Sequence, residues 1–120
     1  MSFVHPYGDT LPEGAAVGRG YGLISNNGNV SFNVTQDGNL QLIGSSGQTL
    51  WSFDDQDVSF VKMQGDGNCV GYTADGTPVW ATESNGTDNP YALVCQNDGN
   101  LVVYANGGVP VWATDTGGLA

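Results

Sequence analysis

Two stretches of this chain carry the same polar string at the same spacing: Gln64-x-Asp66-x-Asn68-x-Val70-x-Tyr72 and Gln96-x-Asp98-x-Asn100-x-Val102-x-Tyr104. Residues spaced by two lie on one face of extended chain. On a straight strand Gln64 and Tyr72 would still stand about 26 Å apart, at roughly 3.3 Å per residue, too far to share a small ligand. A bend at Asp66-Gly67-Asn68 removes that difficulty, because glycine accepts the positive φ that a hairpin's handedness demands. Folding back there sets the glutamine of one strand beside the valine and tyrosine of the next, with aspartate and asparagine at the bend. The carboxylate accepts hydrogen bonds, the amides donate and accept, and the phenol does either, so adjacent hydroxyls of a neutral polyol are met in fixed directions. Valine adds apolar contact for a C–H patch. Such a site separates an axial from an equatorial hydroxyl, since the wrong isomer leaves a buried polar group unpaired. It asks for no metal and no cofactor.

The string is part of a threefold repeat. Asp37-Gly38-Asn39 returns as Asp66-Gly67-Asn68 and Asp98-Gly99-Asn100, and tryptophan returns twelve residues after each asparagine, as Trp51, Trp80 and Trp112. The asparagine offsets are 29 residues (Asn39 to Asn68) and 32 (Asn68 to Asn100), so the variable segment after each tryptophan is loop. Val30, Phe32 and Val34 alternate with Ser31 and Asn33, as half-buried strand residues do, and Leu40 and Leu42 continue beyond the turn. Third strands read Thr49 to Phe53, Pro78 to Thr82 and Pro110 to Thr114. A sheet of three or four short strands cannot bury its apolar face alone. Three of them should lean together into a prism, with the tryptophans packed as core near a shared axis. Gly14 to Ser25 fits the repeat poorly and supplies either a closing strand or a long lead-in loop.

Bulk composition agrees with this class and narrows the partners. The 120 residues make one domain, 1–120, with repeats of roughly 22–53, 54–82 and 83–114, and the 19 glycines and 5 prolines favour turns between short strands. Against twelve acidic residues stand only Arg19 and Lys62, a formal charge of -10. Nucleic acid and anionic membranes are poor partners for such a chain, which has almost no cation to displace their counterions. No stretch approaches the roughly 20 apolar residues of a membrane span, and Met1 to Gly8 lacks the pattern of a signal peptide, so the chain reads as soluble with its compartment open. Cys69 and Cys95 fall on the strand face opposite the polar set, in places that Leu40 or Leu101 and Val34 or Met63 fill in the other copies. They read as core thiols.

The string Gln-x-Asp-x-Asn-x-Val-x-Tyr, twice complete and each time followed by Val-Trp-Ala-Thr, resembles the signature of the bulb-type, or snowdrop-type, mannose-binding lectins. The similarity spans roughly Tyr7 to Gly118. It implies an all-β, three-fold pseudo-symmetric β-prism of type II, built of three small antiparallel sheets, with up to three metal-free sites for mannose or mannosylated glycans. It also implies a homodimer that exchanges the C-terminal strand. Carried over by position, Asp66 and Asn68 would bind the axial 2-hydroxyl of mannose, Gln64 the 3-hydroxyl and Tyr72 the 4-hydroxyl, with Val70 against the ring carbons. Asp98, Asn100, Gln96, Tyr104 and Val102 would repeat those roles.

The first copy departs from the pattern. It keeps Asp37 and Asn39 but has Thr35, Gln41 and Ile43 in place of glutamine, valine and tyrosine, so its site is expected to be weak or lost. The family's half-cystine positions are also not those of Cys69 and Cys95. One rival reading keeps the prism and gives its surface to another polypeptide, as a defence or antibacterial module. An enzyme is disfavoured: His5 is the only histidine, and Asp54, Asp55 and Asp57, the one acidic cluster, read as a solvated loop. The sequons at Asn29, Asn33 and Asn85 matter only to a secreted eukaryotic chain, and the first two fall in a predicted strand. The tail after Trp112 is long enough to complete a sheet, its own or a partner's.

Overall fold

Alternation of apolar and polar residues has its full effect in the computed structural model, which describes residues 3–119; Met1, Ser2 and Ala120 lie outside it. Twelve short strands form three antiparallel sheets of four. Each copy contributes three. Copy one gives β4 (Ser31–Val34), β5 (Leu40–Ile43) and β6 (Thr49–Phe53). Copy two gives β7 (Phe60–Met63), β8 (Cys69–Tyr72) and β9 (Pro78–Ala81). Copy three gives β10 (Ala92–Cys95), β11 (Leu101–Ala105) and β12 (Val109–Ala113). Among the described residues no helix is long and apolar enough to cross a membrane.

The fourth strand of every sheet comes from the stretch before the first hairpin. β1 (Thr10–Pro12) pairs with β10, β2 (Ala16–Gly18) with β7 and β3 (Gly22–Ile24) with β4. The expectation of one closing strand or a lead-in loop between Gly14 and Ser25 is corrected: three successive strands start at Thr10 and each serves a different sheet. The outer strand of each hairpin would otherwise present an unpaired backbone edge. Gly14 and Gly20, both at positive φ, let the chain turn from one sheet to the next.

Inward faces meet in one core. Phe32, Leu40, Leu42, Val61, Met63, Leu93, Leu101 and Val103 are fully buried. The three tryptophans pack on one another, with ring centroids 5.7 Å (Trp51–Trp80), 6.3 Å (Trp51–Trp112) and 5.7 Å (Trp80–Trp112) apart. Cys69 and Cys95 are free thiols in this core, in line with the slots of Leu40 and Leu101, and of Val34 and Met63. Burial pushes both thiols up, Cys95 to about 12 with the Asp9 charge adding to the effect, so they stay protonated and inert at neutral pH.

Both described ends of the chain are tied to the prism. β12 completes its own sheet against β11, but the tail beyond Ala113 forms no strand. It turns instead onto the copy-three bend, where Gly118 N donates to Asp98 O at 2.7 Å and Thr116 Oγ1 to Gly99 O at 2.6 Å. Glycines at 117 and 118, the latter at φ 87°, suit a turn more than a ladder. At the other end Val4 bridges Tyr21 in parallel, and His5 Nε2 lies 3.2 Å from Asn33 Oδ1. Asn33 is therefore a buried, bonded residue of β4, whereas Asn29 sits exposed in the turn before it.

Candidate functional site

Each Asp-Gly-Asn bend is a three-residue loop closed by a backbone pair. Gln64 N donates to Asn68 O at 3.0 Å and Gly67 N to Gln64 O at 3.2 Å, with Gly67 at φ 94°. Gln96, Gly99 and Asn100 repeat the pattern, with Gly99 at φ 99°. This is a turn followed by a left-handed bulge residue, and it fixes which side chains of the two strands face each other. A Cβ on Gly67 would meet the Tyr91 ring at 2.5 Å, so the bend is also packed from above.

The structure brings the members of each intact string together. Gln64 Nε2 donates to the Tyr72 hydroxyl, and Gln96 Nε2 to that of Tyr104. Asp66 Oδ1 accepts from Asn68 N, and Asp98 Oδ1 from Asn100 N, both at 2.9 Å. Val70 and Val102 are 3% exposed and stand outside the main core, so they form a floor beneath the glutamine–tyrosine bridge. What remains free on each surface is an alternating set: the second aspartate oxygen and the glutamine Oε1 accept, while the asparagine Nδ2 and the tyrosine O–H donate. Aspartate is exposed and the other three polar members are half-buried.

Sequence reasoning missed the residues that hold the asparagine. Asn68 Oδ1 accepts from Glu83 N at 2.8 Å and faces Thr82 Oγ1 at 3.5 Å. Thr82 Oγ1 also accepts from Cys69 N at 3.0 Å and meets Ser84 Oγ at 2.7 Å, which donates to Gly67 O at 2.7 Å. Copy three repeats this brace with Thr114 and Thr116: Leu101 N donates to Thr114 Oγ1 at 3.1 Å, and Thr114 Oγ1 to Asn100 Oδ1 at 3.1 Å. One asparagine oxygen is thus spent on structure, which aims the amide nitrogen outward. The signal was in the sequence, as the repeated Val-Trp-Ala-Thr and the hydroxyl two residues after it.

Copy one is wired differently. Thr35 Oγ1, not Asp37, accepts from Asn39 N at 2.9 Å, and Asn39 Oδ1 accepts from Asp55 N at 3.0 Å. Phe53 stands where threonine braces the others, and the backbone ladder simply runs on, pairing it with Leu40. Arg19 reaches over the bend, its Nη2 2.5 Å from Asp57 Oδ1 and its Nε donating to Val58 O at 2.9 Å. Asp54, Asp55 and Asp57 are otherwise exposed, as a solvated loop should be. Two hollows, about 370 Å³ beside Asp75 and about 280 Å³ beside Asp88, touch neither intact string.

The whole fold has close counterparts. The chain is similar to a lectin of Marasmius oreades, 60% identical over 99% of this chain and 100% of that one, with a TM-score of 0.96. A monomeric monocot mannose-binding lectin of Gastrodia elata is 32% identical over 91% of this chain and 98% of its own, with a TM-score of 0.80. The mannose-specific agglutinin of snowdrop, Galanthus nivalis, solved with methyl-α-D-mannoside, is 31% identical over 90% and 96%, with a TM-score of 0.72. The chain belongs to the bulb-type mannose-binding lectin family. No protein-family model and no curated protein matches it. Within this bulb-type lectin the three sheets are the three faces of the family's β-prism, and the two intact strings lie on the faces of copies two and three.

Proposed function

We propose that this protein is a carbohydrate-binding lectin that takes mannose and mannose-containing glycans at two sites, Gln64 to Tyr72 and Gln96 to Tyr104. The observation that carries the reading is the paired bridge: glutamine and tyrosine, eight residues apart, are joined over a buried valine in both copies. Aspartate and asparagine then face a hexose as fixed acceptor and fixed donor, the complement an axial 2-hydroxyl needs. The Asp37–Asn39 remnant is read as weak or silent. The lectins of Gastrodia and snowdrop, named for mannose, share this fold at above 30% identity.

A single exposed sugar pocket binds at about millimolar strength, roughly 4 kcal/mol, so useful retention comes from several sites acting at once. We read the working unit as a homodimer that exchanges β12, an edge strand joined to its sheet by a turn at Gly107 and Gly108. The test is retention on immobilised mannose. Asp66→Ala with Asp98→Ala should abolish it in a protein whose circular dichroism is unchanged, and the parent should sediment at twice the chain mass. Full retention by the folded double variant would defeat the proposal, and sedimentation at the chain mass would defeat the dimer alone.

A further inference from the structure

The two intact strings sit on faces that differ in one neighbouring strand. In copy two the outward residues of β7 are Phe60, opposite Tyr72, and Lys62, opposite Val70. In copy three those places on β10 belong to Ala92, opposite Tyr104, and Val94, opposite Val102. The Phe60 and Tyr72 rings stack, with centroids 5.1 Å apart and planes inclined by 25°. Phe60 is half-buried and outside the core. On its far side the register places Gly18 of β2. A Cβ built on Gly18 would meet only the Ser59 backbone oxygen, at 3.5 Å, so no side chain fills that flank. The matching place in copy three is taken by Pro12, opposite Ala92.

We propose that copy two carries a second subsite, on the Phe60 ring above Gly18, that receives the next pyranose of a mannose oligomer, while copy three receives a terminal residue alone. The inference rests on the mannose reading given above. A pyranose has an apolar C–H face, and an aromatic ring is the surface against which such a face loses most water. Tyr72 reaches the first pocket with its hydroxyl and leans its ring on Phe60, so the shelf starts at the bound sugar and continues away from it. Stacking holds both rings in place, which lowers the ordering cost of binding. Lys62, exposed on the same face between Phe60 and Gln64 and in no ion pair among the described residues, brings three donors for hydroxyls of the second ring. Ala92 and Val94 provide neither a ring nor a donor.

Calorimetry on single-site proteins tests this, with methyl α-mannoside and an α-linked mannobiose as probes. With Asp98→Ala, so that copy two is read alone, the mannobiose should bind about fivefold tighter than the monosaccharide, roughly 1 kcal/mol. With Asp66→Ala, leaving copy three, the two probes should bind alike. Gly18, whose φ is not positive, accepts a side chain, and Gly18→Leu in the Asp98→Ala protein should remove the mannobiose preference while monosaccharide binding stays. Phe60→Ala should remove it as well and serves if the leucine variant fails to fold. A preference that is equal in both single-site proteins, or that survives both substitutions, overturns the subsite and leaves the mannose reading standing. Failure of the unmodified protein to bind methyl α-mannoside overturns both.

Discussion

The faces of copies one and two make the sharpest comparison in the molecule. Across the middle of the copy-two face the register sets Ala16, Lys62, Val70 and Ala81 side by side, whereas across copy one it sets Gly22, Asn33, Gln41 and Ser52. Where copy two buries a valine under a glutamine–tyrosine bridge, copy one has Gln41 beside a buried Asn33 that is bonded to Ser31 at 3.0 Å and to His5. Backbone geometry does not separate the two, since Gly38 takes φ 83° in a bend of the same shape. The lesson is that one bend carries two different surfaces: a backbone N–H holds the asparagine oxygen in both copies, and copy two adds a glutamine–tyrosine bridge and a pair of hydroxyls beside the bend.

Removing the brace should weaken copy two until it resembles copy one. Thr82→Val deletes the acceptor of Cys69 N and the partner of Ser84, which loosens the turn whose Glu83 N holds Asn68, and we expect about a tenfold loss of mannoside affinity at copy two, roughly 1.4 kcal/mol. Calorimetry in the Asp98→Ala background reads it, and unchanged affinity would make the brace irrelevant to the site. A smaller effect is expected from His5→Ala, which takes a partner from buried Asn33. Its cost should be about 1 kcal/mol in urea unfolding with mannoside affinity untouched, because Val4 and His5 lie against the copy-one sheet, away from both intact strings. The smallest effect probes sufficiency. Thr35→Gln, Gln41→Val and Ile43→Tyr together restore the five-residue string to copy one, yet Phe53 still stands where the bracing threonine should be. Binding stoichiometry should stay at two mannosides per chain. A third site would show that the string suffices without the brace.

Much of this architecture was legible in the residues. Val30, Phe32 and Val34 named the buried face of β4, and the three Asp-Gly-Asn bends were fixed by glycines that do take positive φ. The tryptophans pack on one axis as their spacing implied. The stretch from Thr10 to Ile24 was not legible, since three-residue strands carry too little alternation to show a period. Nor was the brace, although its threonines recur, because Thr82 acts on Asn68 across fourteen residues.

From the sequence alone came whatever neighbours in the chain decide: which residues share a strand face, where glycine permits the chain to bend, and that two of three polar strings are complete. Tertiary structure alone decided which edge each short early strand would cover, that Phe60 would lie on Tyr72 while Ala92 lies beside Tyr104, and that the tail would prop a bend instead of adding a strand. The physical reason is range. Side-chain alternation and backbone sterics act over a few residues and leave a periodic trace, whereas strand partners and packing neighbours are chosen by burial across the whole fold, which leaves none.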